Sequence, residues 1–214
     1  MVGTFAAVLF FTMLKEAYED YQRYKSDREL NNRVTRVLEK KTASLTESVE
    51  LGFESSVKQK KWSEVKAGDI VKVLKNEEVP ADMLCINGPK DIVYISTMNL
   101  DGETNLKERA IALDNIDEAN IKEFNGHIVC DMPCESLELW NGNVHSPLLD
   151  KVTNCSMKNM ILRGCTLKNS EYCYGIAIYV GGDSKIMRNA KQAPRKVSNL
   201  MLLMNYMLYT VFAF

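Results

Sequence analysis

Between Gly68 and Gly182 the chain is cut into short apolar runs, each closed by turn formers, and that rhythm restricts it to a fold of short strands. Ile70-Val71-Lys72-Val73-Leu74 follows Gly68-Asp69. Met83-Leu84-Cys85-Ile86 follows Pro80-Ala81-Asp82 and ends at Asn87-Gly88-Pro89. Ile161-Leu162, Cys165 to Leu167 and Gly175 to Val180 repeat the style, the last closed by Gly181-Gly182. Short strands separated by Gly and Pro turns predict a small sandwich or jelly roll. Leu113 to Phe124, carrying Asp114, Asp117, Glu118 and Glu123, reads as an acidic, exposed helix or insertion.

The two ends follow a different pattern. Met1 to Leu14 is nearly all apolar, and Leu200 to Phe214 is interrupted only by Asn205 and Thr210 among clearly polar residues. Each is shorter than the roughly 20 residues that span a bilayer. No basic segment precedes the first run and no small-residue cleavage site follows it, which argues against a signal sequence. Apolar on all sides, as helices facing lipid or a large interior are, both read as truncated membrane helices rather than as a pair of buried core helices. Lys15, Arg23, Lys25, Arg28, Arg33 and Arg36 follow the first run, and Lys185, Arg188, Lys191, Arg195 and Lys196 precede the second. Basic residues near membrane ends mark the cytoplasmic side, so residues 15–199 are expected there. Lys15 to about Leu38 lacks Gly and Pro and predicts a helix continuing out of the membrane. Its Tyr18, Tyr21 and Tyr24 form a packing or interfacial stripe.

A length of 214 residues suits one domain with attached helices, and 46% hydrophobic with 26% charged residues is enough for a packed core. The net charge of -1 gives no reason to invoke nucleic acid, which calls for a clustered basic face. Cys85, Cys130, Cys134, Cys155, Cys165 and Cys173 include no C-x-x-C pair, and only His127 and His145 could join them, so reduced thiols are expected rather than zinc or disulfides. Asn154-Cys155-Ser156 is a glycosylation sequon, relevant only outside the cytosol. Asp69 and Asp82 are expected to hydrogen-bond the backbone of their own turns.

The chemistry points to Asp101-Gly102-Glu103-Thr104-Asn105-Leu106-Lys107, directly after the strand-like run Ile92-Val93-Tyr94-Ile95-Ser96. An isolated Asp-Gly-Glu is ordinarily a solvated turn. A loop leaving a strand through Gly can also bring a carboxylate close to a group carried by another domain and hold a water there. With the flank Ser96-Thr97-Met98-Asn99-Leu100, the stretch resembles the actuator-domain signature of type IV P-type ATPases, the phospholipid flippases. Cation pumps of that superfamily carry Thr-Gly-Glu at this place. Lys15-Glu16-Ala17-Tyr18-Glu19-Asp20-Tyr21 is similar to the segment after the family's second membrane helix. Trp62-Ser63-Glu64-Val65-Lys66-Ala67-Gly68-Asp69-Ile70-Val71 resembles the opening of its actuator sheet. Asn76-Glu77-Glu78-Val79-Pro80-Ala81-Asp82 is similar to the next turn. Asn159 to Asn169, around Leu162-Arg163-Gly164-Cys165, and Gly181 with Lys185-Ile186-Met187 resemble the end of the domain.

The resemblance implies a mainly β fold, a distorted jelly-roll actuator domain with flanking α-helices, the outermost being the truncated transmembrane helices. Its organisation would be the end of a transmembrane helix over 1–14, a cytoplasmic stalk helix over 15–41, the actuator domain over 42–186, a linker over 187–199 and the start of the next transmembrane helix over 200–214. Lys15 to Leu38 and Met187 to Ser198 would connect loop movement to the membrane. It further implies that Glu103 orients or deprotonates the water that hydrolyses an aspartyl-phosphate. Gly102 would permit close approach, and Asp101 and Thr104 would shape the loop, with Asn105 a weaker candidate. The family's Asp-Lys-Thr-Gly-Thr phosphorylation sequence does not occur in the chain. Such a fragment would be inactive alone, would hold no cofactor, and would depend on ATP and Mg²⁺ bound elsewhere in a full-length protein. Implied partners are a phospholipid substrate, the phosphorylation domain of the same pump, the membrane and an accessory subunit. The alternatives are a truncated, non-catalytic, membrane-tethered regulatory or binding module, and a cation-transporting P-type ATPase, against which Asp101 stands.

Overall fold

The computed structural model describes residues 2–38, 57–113, 121, 124–147 and 151–190, together with 203, 206–207 and 209–210. Helix α1 covers Val2–Asn32. Strands β1 (Val34–Leu38), β2 (Val57–Lys61), β3 (Ile70–Leu74), β4 (Asp82–Asn87) and β5 (Ile92–Ser96) follow. A single helical turn, α2 (Met98–Asp101), precedes β6 (Leu106–Ala110), β7 (His127–Cys130), β8 (Asn141–His145) and β9 (Thr153–Ser156). The chain then forms β10 (Met160–Ile161), β11 (Thr166–Lys168), β12 (Tyr172–Tyr179) and the short α3 (Lys185–Asn189). The mainly β architecture with flanking helices is the expected one.

The largest sheet has the order β10-β4-β12-β3-β1-β2, and two three-stranded sheets run β11-β5-β6 and β7-β8-β9. Among the described residues every strand pair is antiparallel. Strand β4 is apolar on both faces: Met83, Leu84, Cys85 and Ile86 are all fully buried, so it can only be an interior strand. Strand β12 lies between β3 and β4 and shifts register twice along β4. The second sheet hangs from the first through backbone bonds, Asn76 N–H to Leu167 O, Leu167 N–H to Glu77 O and Val79 N–H to Cys165 O. The third sheet closes over Trp140, whose indole donates to Tyr179 Oη at 3.1 Å. The Tyr179 hydroxyl in turn donates to Asp131 O. In the core the Cys85 and Cys173 sulfurs approach to 3.0 Å.

Four expectations need correction. The helix read to Leu38 stops at Asn32, and Val34 to Leu38 pairs with both β2 and β3. Its β-branched Val34, Thr35 and Val37 suit a pleated surface, and Thr35, Val37 and Leu38 are buried there. Arg33 and Arg36 reach across to Glu78 and Glu77, which pins this strand to the turn after β3. Second, Lys185 is not a surface charge flanking a membrane segment. It is fully buried, with Nζ donating to Ser136 O at 2.8 Å and Leu139 O at 2.9 Å and lying 3.1 Å from Cys134 Sγ. Third, Leu113, Ile121 and Phe124 are buried core residues rather than part of an exposed helix; the rest of that stretch lies outside the described residues. The fourth, Asp82, belongs with the site below. Most of Leu200–Phe214 and the linker beyond Ala190 also lie outside the described residues. Among the described residues, no helix is long and apolar enough to cross a membrane.

Candidate functional site

Strands β5 and β6 form a hairpin in which Ser96 pairs with Leu106, so residues 97–105 form its tip. The tip begins with buried Thr97, whose carbonyl accepts the N–H groups of Leu100 (2.7 Å) and Asp101 (3.1 Å). That makes the single turn of α2. The turn ends because Gly102 adopts φ 75°, the left-handed conformation that favours glycine, and returns its N–H to Met98 O at 3.1 Å. A Cβ at Gly102 would meet nothing within 4 Å, so the surface above it is open to an approaching group.

Asp101 is the hub of this tip. Its carboxylate accepts from the Thr97 hydroxyl at 3.0 Å, from the Glu103 N–H at 3.0 Å and from Lys107 Nζ at 2.6 Å. The Lys107 hydrogen bond, then the Glu103 N–H, hold its carboxyl down to about 2, and the same pairing raises the Lys107 ammonium above its ordinary value. Lys107 Nζ also lies 3.0 Å from Glu103 Oε2. Glu103 stays 58% exposed at its side chain, against 29% for Asp101. Asp101, Gly102 and Glu103 thus follow one another along the exposed tip, with the Asp101 and Glu103 carboxylates both on Lys107. Thr104 and Asn105 stand exposed on the same tip, and among the described residues no side-chain hydrogen bond engages either.

The tip rests on the turn that contains Arg163 and Gly164. Asn99 Nδ2 donates to Gly164 O at 3.3 Å, and Leu100 and Ile186 both lie close to the position a Gly164 Cβ would take. This turn is tied inward by Asp82, which corrects the expectation of a local turn bond. Asp82 accepts the Arg163 N–H at 2.8 Å and the Lys185 N–H at 2.6 Å, both distant in sequence. Burial pushes its carboxyl upward, while the two N–H groups and the nearby cations oppose that rise. Asp69 does bond its own turn, at the Lys66 N–H, and also Lys60 Nζ. Sequence reasoning missed Thr97, Lys107 and the buried pair Asp82 and Lys185 as parts of this site. The spacing of Glu103 and Lys107, four residues apart with opposite charge, was the available signal for one of them.

A set of three or more metal-ligating side chains does not occur among the described residues. Asp101 and Glu103 already share an ammonium, which suits them poorly to hold a dication. His127 and His145 stack on each other across β7 and β8, with ring centres 4.6 Å apart. The exposed tip can present one glutamate, fixed at its base, to a group on another body.

A model of the P-type ATPase actuator domain matches residues 43–193. Phospholipid-transporting ATPase IC of Xenopus tropicalis is 36% identical over 218 residues, covering 96% of this chain and 16% of that protein. Phospholipid-transporting ATPase 1 of Arabidopsis thaliana is 36% identical over 203 residues, covering 94% of this chain and 16% of that protein. Guanylate cyclase alpha of Plasmodium falciparum (isolate 3D7) is 33% identical over 203 residues, 91% of this chain and 4% of that protein. The chain therefore spans about a sixth of the length of these phospholipid-transporting ATPases.

Proposed function

This chain belongs to the P-type ATPase actuator-domain family, and from that premise we propose that it is the actuator of an ATP-driven phospholipid-translocating pump. In this reading Glu103 positions the water that hydrolyses an aspartyl-phosphate on another domain. The observation that carries the proposal is the tip itself: Gly102 in the left-handed conformation, open above, beside a glutamate that is exposed at its head and held by Lys107. Hydrolysis of an acyl phosphate needs a water in line with the leaving carboxylate, and a positioned base typically contributes ~10²–10⁴-fold. Asp101 and Thr97 shape the tip, Gly102 lets it approach, and Thr104 would meet the partner domain. The phospholipid, the phosphorylation domain, an accessory subunit, ATP and Mg²⁺ would all be engaged through other parts of a longer protein. The stretch 187–199 would link the domain to a membrane helix starting near Leu200, with residues 15–199 on the cytoplasmic side.

The test is Glu103→Gln in the full-length protein. Phosphoenzyme formed from labelled ATP and chased with unlabelled ATP should decay ~10²–10⁴-fold more slowly, a rise of roughly 3–5 kcal/mol in the barrier. Unchanged decay would remove Glu103 from the role. A second reading is a non-catalytic membrane-tethered module; a similar segment also makes up 4% of a protein named guanylate cyclase alpha, a name that is not a transporter's. A full-length protein that forms no phosphoenzyme at all would support it over the pump.

A further inference from the structure

The acidic tip carries a cation whose placement exceeds what its shape requires. Lys107 is the second residue of β6, opposite Ile95 of β5, and its side chain returns over the tip to reach two carboxylates. Asp101 has other anchors, the Thr97 hydroxyl and the Glu103 N–H. The Glu103 carboxylate has the ammonium, at 3.0 Å on Oε2. An exposed ion pair four residues apart adds little to stability, so this contact bears on direction more than on fold. A lysine ammonium has three donors, and here two of them span from a fixed carboxylate to a free one. The order of support runs from buried Thr97 to Asp101, from Asp101 to Lys107, and from Lys107 to Glu103.

We propose that Lys107 is the positioning residue for Glu103. Asp101 anchors the ammonium, and the ammonium holds Oε2 so that the carboxylate meets the phosphorylated domain in one direction. The inference rests on the proposed role of Glu103. Orientation of a catalytic group is worth much in rate, since a misplacement of about 1 Å can cost ~10²-fold.

The experiment measures phosphoenzyme decay in the full-length protein for the wild type, Lys107→Met, Lys107→Arg, Glu103→Gln and the double variant Glu103→Gln with Lys107→Met. Lys107→Met should slow decay by about 10- to 100-fold, and Lys107→Arg, which keeps the cation, should restore most of the rate. The double variant should decay no more slowly than Glu103→Gln alone, because both changes remove one interaction. The amount of phosphoenzyme formed before the chase reports whether each variant folds, and Lys107→Gln replaces Lys107→Met should the latter form none. Wild-type decay in the removal variant, equal slowing in Lys107→Arg, or effects that multiply in the double variant would each overturn the proposal. Normal decay of Glu103→Gln would overturn the function proposed above, and the positioning role with it.

Discussion

Asp101 is exposed as a residue, yet three donors converge on it: the Thr97 hydroxyl, the Glu103 N–H and the Lys107 ammonium. All three favour the charged form, and its pKa falls from 3.8 to about 2. A carboxylate depressed in the folded state supports the tip fully above its unfolded value, and that support is lost as pH falls from 3.8 through about 2. Solvent screening keeps the energy small, so titration is the better readout. In a carbon-detected NMR titration of the chain in detergent, the Asp101 carboxyl should titrate near pH 2. In Lys107→Met its midpoint should move up toward 3.8, because the largest cause of the shift is gone. A wild-type midpoint already near 3.8 would mean that the lysine does not engage Asp101 in solution. Asp101, Gly102 and Glu103 were singled out in the sequence through the resemblance of the surrounding blocks, since an isolated Asp-Gly-Glu is ordinarily a solvated turn. Thr97 was not, since its place at the base of the tip depends on Ser96 pairing with Leu106, a register that no residue announces, and for Lys107 only its spacing from Glu103 gave a signal.

Strands β4 and β12 were legible because both faces are buried, and β3 because its run is apolar but for Lys72. Strand β6, with the sequence Leu-Lys-Glu-Arg-Ala, and strand β8, Asn-Gly-Asn-Val-His, carry residues that signal surface or turn. In β8 the Gly is set by packing: a Cβ at Gly142 would lie 2.8 Å from the Trp140 ring. Trp140 is only two residues away, but that its ring folds back over Gly142 depends on the packing of the third sheet and is not readable from the spacing. Asp82 acts on the same scale, since one carboxylate joins the start of β4 to the Arg163 turn and to the start of α3. Its raised pKa means the folded state binds that proton more tightly than the unfolded chain does. Stability from this group is therefore greatest at low pH and declines as pH rises from 3.8 through the folded value, so Asp82 does not drive acid unfolding. Asp82→Asn keeps one acceptor but turns an amide donor toward an N–H group, which should cost about 1–3 kcal/mol. A thermal scan of the chain should show a Tm lower by a few to about ten degrees. An unchanged Tm would show that the carboxylate does not join these elements.

On the scale of the whole molecule, α1 carries apolar side chains that the other described residues do not cover. Leu9, Phe10, Phe11, Met13 and Leu14 are exposed, Phe11 to 72%, and so are Tyr18, Tyr21 and Tyr24 farther along. A helix with apolar residues so exposed is one that another phase or chain covers. From Lys15 onward the helix is charged, with the pairs Lys15–Glu19 and Asp20–Arg23 on its surface. The boundary between these two parts is where a bilayer surface would fall, with the aromatic stripe just outside it. Hydrogen exchange separates this reading from the alternatives. In phospholipid nanodiscs the amides of residues 2–14 should become at least ~10-fold more protected than in detergent-free buffer, while those of 18–32 should not change. Strands β4 and β12 should exchange slowly in both, because their burial comes from the domain itself. Residues 2–14 that stay unprotected in the bilayer would mean that another protein, not lipid, covers the apolar end of α1.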